Sequence, residues 1–231
     1  MHRPKVKNAP AILLAIVLIS LFAFLLGWSR LLSIRSIEIS AGGNEVIITS
    51  IVEPSLARVG LPMARVSSER IRREILHQTW VANVIVNRRW LARDLRIDVT
   101  SRVPVAQYVD LDGSTKYFDR SGYTFVTPHP MPALPVVTFT GSTGTLRSAI
   151  AQFLSAAPAD LVAHMSSLEI DAHGNISMAA SISGHSKLLI AWGTRTEEPL
   201  KVQVIQALLS LKENKNITVI DVTNPLSPIV K

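Results

Sequence analysis

The sequence predicts an α+β protein: one N-terminal transmembrane helix, a compact domain in the order strand, helix, helix, strand, strand, and then a mainly antiparallel β domain with flanking helices. Three observations lead there. Residues 11–28 form an uncharged apolar run, residues 95–100 alternate apolar and polar side chains, and turn signals recur beyond residue 107. The expected divisions are a cytoplasmic tail over 1–10, a transmembrane helix over 11–29, a first domain over 30–104, a β domain over 105–222 and a C-terminal tail over 223–231.

The apolar run, AILLAIVLISLFAFLLGW, is broken only by Ser20 and Gly27. About eighteen residues at ~1.5 Å each span ~27 Å, close to the thickness of a hydrocarbon core. A helix there satisfies its own backbone, with Ala11, Ile12, Leu13, Leu14, Leu18, Phe22, Leu25 and Leu26 facing lipid and Trp28 at the interface. Arg3, Lys5 and Lys7 make the N-terminal tail basic and free of acids, so that end is expected in the cytoplasm and the long C-terminal part outside, at the plasma membrane. The competing reading is a cleaved signal peptide with Gly27 and Ser29 at the cut. The run reaches the upper limit for such a segment, and bulky Trp28 and basic Arg30 flank the cut, so an uncleaved anchor is predicted.

The 231 residues include no Cys, which excludes disulfides, thiolate metal sites and cysteine nucleophiles. With 48% hydrophobic residues there is chain enough for one or two cores. The net charge of +7 favours contact with anionic lipid or acidic polymers.

In the first domain Ile34, Ile37 and Ile39 suggest a strand ending at Ala41-Gly42-Gly43-Asn44. A short helix is predicted from Glu53-Pro54 to Gly60. Ser67 caps a second helix with Glu69 in its first turn and Ile71, Ile75 and Leu76 on its core face. Residues 81–88 read as a strand. Leu95, Ile97 and Val99 alternate with Arg96, Asp98 and Thr100 as a half-buried strand does. Two helices on one face of a three-stranded sheet make an open-faced layer.

Beyond Gln107, turn chemistry at Asp112-Gly113, Asp119 to Gly122, His173-Gly174-Asn175 and Ser183-Gly184-His185 separates short strands. Pro128, Pro130, Pro132 and Pro135 mark an extended surface crossing rather than central strand. Residues 146–154 and 199–211 read as helices, the second led by Glu197 and Glu198. Residues 217–222 (ITVIDV) read as a last strand stopped by Asn224-Pro225.

The stretch from Trp80 and Val81 through Arg88, Arg89 and Trp90, followed by Leu95-Arg96-Ile97-Asp98-Val99 and Arg102-Val103-Pro104-Val105-Ala106, resembles the FtsQ/DivIB family of bacterial cell-division proteins. The turn from Asp119 to Gly122 is similar to the family's D-x-x-G, Leu134-Pro135 to its L-P, Gly193 with Lys201 to its late G...K stretch, and Asp221 to its terminal-strand aspartate. Leu91 and Asp94 stand where Pro and Thr are usual, Ser101 where Glu precedes the Arg, and Thr223 and Asn224 where an Arg-Tyr pair is frequent. The resemblance implies a short cytoplasmic tail, one transmembrane helix, a POTRA domain and a β domain. It also implies a non-enzymatic scaffold at the division septum that controls septal wall synthesis through protein contacts, with the β domain binding an FtsB/FtsL-type complex of bitopic coiled-coil proteins.

The site expected to serve partners is the terminal strand, Ile217, Thr218, Val219, Ile220, Asp221, Val222 and Thr223. Strand addition there would supply backbone hydrogen bonds with little sequence demand. Against it stands an ordinary internal strand, or an edge blunted by Pro225 and Pro228. The ten arginines between Arg58 and Arg102 suggest nucleic acid. A domain held outside the membrane meets no chromosome, and a solvated basic face or contact with lipid or wall polymer is the reading. No H-E-x-x-H, G-x-S-x-G, S-x-x-K or phosphate loop is present, so neither an enzyme, a metal, a cofactor nor a small-molecule substrate is expected. Two alternatives remain in other classes: a membrane-anchored POTRA protein of secretion or outer-membrane transport, and an exported wall-binding module.

Overall fold

A computed structural model of the chain describes residues 9–28, 32–129, 131, 134–141, 143–182 and 184–231; the side chains of residues 9, 25–28 and 143 lie outside the description. The chain forms two compact units that divide between Ser101 and Arg102.

The first unit begins with helix α1 (Ala9–Trp28). The expectation that it crosses a membrane is corrected: among the described residues no helix is long and apolar enough to do so. Its side chains are described over residues 10–24. Along that stretch Ala11, Ile12, Leu13, Leu14, Leu18 and Phe22 are exposed. The side chains of Leu25, Leu26 and Trp28, and the tail over 1–8, lie outside the described residues, as does Arg30.

Strand β1 (Ser36–Ser40) is followed by α2 (Glu45–Ile51), a 3-10 turn at Met63–Arg65, α3 (Ser68–Leu76), β2 (Val81–Arg89) and β3 (Asp94–Ser101). The predicted helix over 53–60 is replaced by turns, and α2 forms earlier, in the β-branched run EVIITSI. The local reason is Glu45, whose Oε1 accepts from the Ala41 and Gly43 amides at 2.9 and 3.3 Å and fixes the start, while Ile48 buries completely. These backbone bonds hold the Glu45 carboxyl below the usual carboxylate range. Helix α3 starts on Ser67, whose Oγ accepts from the Arg70 amide at 3.3 Å. The sheet order is β1-β3-β2, with β1 parallel and β2 antiparallel to β3. Ile34, Ile48, Met63, Ile71, Ile75, Trp80, Val84, Leu95 and Ile97 make the core between sheet and helices.

The second unit holds β4 (Pro104–Val109), β5 (Thr115–Asp119), β6 (Thr124–Phe125), β7 (Val136–Thr140), α4 (Thr143–Ala156), α5 (Ala159–Ala163), β8 (Met165–Asp171), β9 (Ile176–Ile182), β10 (His185–Gly193), α6 (Glu198–Ser210), a 3-10 turn at Lys212–Asn214, β11 (Val219–Asp221) and β12 (Ile229–Val230). They form one nine-stranded sheet, β12-β11-β10-β9-β8-β7-β4-β5-β6.

A mainly antiparallel domain was the expectation, and five of the sheet's eight strand pairings are antiparallel, but three are parallel. β4 with β7, β7 with β8, and β10 with β11 run parallel. Parallel neighbours need a long crossover, and the helices supply it: α4 and α5 carry the chain from β7 to β8, and α6 from β10 to β11. Their apolar faces share one core with the sheet, including Tyr108, Phe118, Val137, Phe153, Leu168, Trp192, Ile205 and Ile220. Phe153 of α4 meets Trp192 of β10 edge to face at 5.2 Å. Pro128 and Pro135 lie on the stretch between β6 and β7; Pro130, Pro132 and Ser183 fall outside the described residues.

Candidate partner-binding edge

The C-terminal end of the nine-stranded sheet is assembled from β10 outward. Gly193, with φ of 70°, ends β10, and Glu197 in the left-handed region at 55° turns the chain into α6. Pro199 stands in the first turn, where its missing amide hydrogen costs nothing. Arg195 Nε meets Glu198 Oε1 at 2.7 Å. One turn on, the Lys201 side chain points inward and is fully buried, its Nζ donating to the carbonyls of Trp192 and Thr194 at 2.8 Å each. Desolvation lowers its pKa, opposed by the charges of Glu197 and Glu198. The lysine thus ties the crossover helix to the end of β10 by satisfying two carbonyls that the chain reversal would leave open.

The segment that returns to the sheet is held by two more polar groups. Asn214 Nδ2 donates to Leu208 O at 2.9 Å, and its own carbonyl lies 3.0 Å from His185 Nε2. His185 Nδ1 lies 3.2 Å from Ile182 O, so the imidazole joins the β9–β10 turn to the approach of β11.

β11 pairs with β10 in parallel, Leu189 with Val219, Ile190 with Ile220 and Ala191 with Asp221. Leu189 N donates to Thr218 O, and Val222 N to Ala191 O, both at 2.9 Å. Ile220 and Val222 bury completely toward the helices, while Val219 and Asp221 stay half-buried on the other face. Asp221 Oδ1 then accepts from the Thr223 amide at 2.9 Å and the Thr223 hydroxyl at 2.7 Å, bending the chain out of the strand. A Cβ on Gly193 would stand 3.0 Å from Thr223 Cγ2, so glycine is needed there for this close approach as well as for its φ.

The predicted last strand is therefore shorter than 217–222 and is not last. Ile217 and Thr218 lead into it, Val219, Ile220 and Asp221 form it, and Val222 and Thr223 follow. Its outer side is paired antiparallel with β12, Ile220 with Val230 and Asp221 with Ile229. Thr218 N and Val219 N donate to Lys231 O at 2.7 and 3.1 Å, and Lys231 N to Val219 O at 3.0 Å. Sequence reading assigned residues 223–231 to a tail because Pro225 and Pro228 break the pattern. The apolar pair Ile229-Val230 after an Asn-Pro turn was the signal for a returning strand.

The motif residues carry structure. Trp80, Val81 and Leu95 are buried in the first unit, where Arg88 Nη1 donates to Val66 O at 3.0 Å and its guanidinium lies 5.6 Å from the Trp90 ring. In the second unit Arg102, just ahead of Pro104, bonds Asp119 Oδ2 at 2.7 Å and stacks 3.9 Å from the Tyr123 ring. Burial pushes the Asp119 carboxyl up, but hydrogen bonds from Ser121 and Arg102 outweigh it and the pKa falls. A Cβ on Gly122 would meet Ser148 Oγ at 2.9 Å, so α4 closes over this turn. Sequence reading missed the Arg89–Asp94 fork, with Arg89 Nε 2.7 Å from Asp94 Oδ1, and the anchoring role of Lys201. Among the described residues no group of His, Asp and Glu is placed to hold a metal.

No family model matches the chain. Several curated proteins resemble it along nearly its whole length. The cell division protein FtsQ of Mycobacterium bovis is 26% identical over 225 residues, covering 95% of this chain and 68% of that protein. FtsQ of Mycobacteroides abscessus is 27% identical over 240 residues, covering 99% of this chain and 72% of its own length. FtsQ of Mycobacterium leprae is 24% identical over 227 residues, covering 95% of this chain and 63% of its own.

Proposed function

We propose that this chain, which its relatives assign to the FtsQ/DivIB family, serves bacterial cell division at the septum as a non-enzymatic scaffold that links division proteins and controls septal wall synthesis through protein contacts. The observation that carries the reading is the similarity over 95–99% of the chain to proteins named for division. It spans both units, so the resemblance is to a whole arrangement rather than to one motif.

The contact we propose lies at the C-terminal end of the nine-stranded sheet. A partner of the FtsB/FtsL type, a pair of bitopic coiled-coil proteins, would contribute an extended segment that pairs with β11. Strand pairing is undemanding in sequence; the Val219 amide and carbonyl it would use are bonded to Lys231 in this structure, so the incoming segment would take the place of β12. No small-molecule substrate, cofactor or nucleic acid takes part in this proposal.

The experiment is a pull-down of coiled-coil division proteins from the cell's own membranes by the full chain and by Val219→Pro. The Val219 amide points away from β10 and donates to Lys231 O, so proline removes an outward donor and leaves the β10 pairing in place. Retention by the wild type and loss by Val219→Pro is the expected result. Equal retention by both overturns the edge, and retention by neither overturns the division reading. Ile220 is unsuitable for this test, because it is buried in the core and its replacement would report unfolding.

A further inference from the structure

Two loops of the first unit are tied to the same short stretch of chain, Ser33 to Arg35, just ahead of β1. The loop that precedes the Met63–Arg65 turn is joined there by Gly60 N to Ile34 O at 2.8 Å, by Ile34 N to Leu61 O at 2.9 Å and by a bridge between Ser33 and Pro62. The tip of the β2–β3 hairpin is joined by Arg35 N to Arg93 O at 2.6 Å, while Arg93 Nε donates to Ser33 O at 3.3 Å. Arg93 itself holds a left-handed backbone, φ 61°, which side chains of its size seldom adopt. Bonds from both its backbone and its guanidinium keep it there, so the tip is a fixed feature of the unit.

What the two loops present is apolar and basic together. Leu91 at the hairpin tip is 100% exposed, and Val59 in the other loop is 64% exposed. Trp90, half-buried beside Leu91, lies 5.6 Å from the Arg88 guanidinium. Residues 33–36, 57–62 and 88–94 carry five arginines, Arg35, Arg58, Arg88, Arg89 and Arg93, against one carboxylate, Asp94, which Arg89 already engages. A solvated face accounts for the arginines alone. Apolar tips interleaved with arginine and tryptophan have the composition of a surface at the boundary between headgroups and acyl chains. The chain also reaches this end from α1, which carries no charge and whose side chains are exposed from Pro10 to Phe24.

We propose that this end of the first unit is a seat on anionic phospholipid: Leu91 and Val59 enter the interfacial layer, Trp90 lies at headgroup level, and the exposed Arg35 and Arg58 meet the phosphates. Two separate apolar tips offer a protein partner little continuous area, whereas a fluid headgroup layer needs none. The contact is one of a folded unit with a surface and requires no crossing. It goes beyond the division reading and does not depend on it.

The chain has no Cys, so a single introduced cysteine reports one position. Full-length Leu91→Cys, Val59→Cys and Asn83→Cys, the last on β2 at the end away from the tip, each carry an environment-sensitive fluorophore. All three positions are exposed, so the substitutions leave the core untouched. Each form is mixed with vesicles of phosphatidylglycerol and phosphatidylcholine in equal parts, and with vesicles of phosphatidylcholine alone. Helix α1 is present in every form, so differences among the labels belong to the folded unit. Emission at positions 91 and 59 should rise and shift to the blue on the anionic vesicles, and stay near the vesicle-free level on phosphatidylcholine; position 83 should respond to neither. In the labelled Leu91→Cys chain, Arg35→Gln and Arg58→Gln should each lower the ratio of seated to unseated tips by roughly fivefold. A flat response at 91 and 59 overturns the proposal, as does the same response on both lipids or an equal response at 83. A rise that appears only when membrane proteins are added to the vesicles also overturns it, because a protein then takes the face.

Discussion

In the three-stranded sheet the edge strand β2 carries two asparagines and two arginines and β1 one carboxylate, whereas at the C-terminal end of the nine-stranded sheet β11 carries a single carboxylate, Asp221, and β12 no charge at all. On β2, Asn83, Asn87, Arg88 and Arg89 stand exposed, and on β1 Glu38 lies 3.8 Å from Arg89. The Arg89 guanidinium also forks onto Asp94 of the central strand. An incoming strand would have to desolvate these groups, which is how edges are commonly blunted. At the other sheet the far end stops at the two-residue β6, while β11 presents Val219 and Asp221 and depends on β12. The edge proposed for the partner is thus the one poorer in charged and amide side chains.

The comparison breaks hardest if the platform beneath β11 is removed. Lys201→Ala should destabilise the second unit by about 2–4 kcal/mol, because it leaves two carbonyls without a partner and a cavity beside Trp192. Urea unfolding measures it, and a loss below about 1 kcal/mol would mean that the lysine does not anchor the crossover. Gly193→Ala should cost about 1–3 kcal/mol, since it puts a side chain in the left-handed region and against Thr223. It should also weaken partner capture by shifting the bend after Asp221.

Acid titration sharpens the other side of the comparison. The Arg89 hydrogen bond and charge hold the Asp94 carboxyl below its ordinary value, against the opposing effect of burial. A carboxylate whose folded pKa is depressed contributes stability that is complete above the unfolded value, ~4, and is lost as pH falls through the folded value. Asp94→Asn should therefore be less stable than wild type at neutral pH, and the gap should narrow below about pH 4. A gap unchanged across that range would show that the fork is not charged. Smallest of all should be Lys231→Pro, with a global stability change in urea under about 1 kcal/mol.

Much of this was legible in the sequence where one physical signal dominated. Alternation at Leu95, Ile97 and Val99 gave a strand with the right inward face, and Ser67 with Glu69 gave the start of α3. The strand from Val81 and the helices α4 and α6 followed from pattern and capping in the same way. What failed were features decided by tertiary packing. The run EVIITS has strand-like composition, and it is helical because Ile48 finds the core and Glu45 fixes the first turn. Parallel pairing of β10 with β11 cannot be read from either strand, since it follows from where α6 delivers the chain. The apolar run at the N-terminus suggested a membrane crossing, whereas among the described residues no helix is long and apolar enough to make one. At the candidate site the residues of β11 were found, but its cover was not, because two prolines disguise a strand of two residues.

The central claim is that β11 captures a partner's strand, and the most direct test is the affinity of Val219→Pro for the coiled-coil segments, measured beside its unfolding curve. The account predicts binding lost by at least about tenfold, with stability lowered far less than a core substitution would lower it. Wild-type affinity in a folded Val219→Pro chain would contradict it.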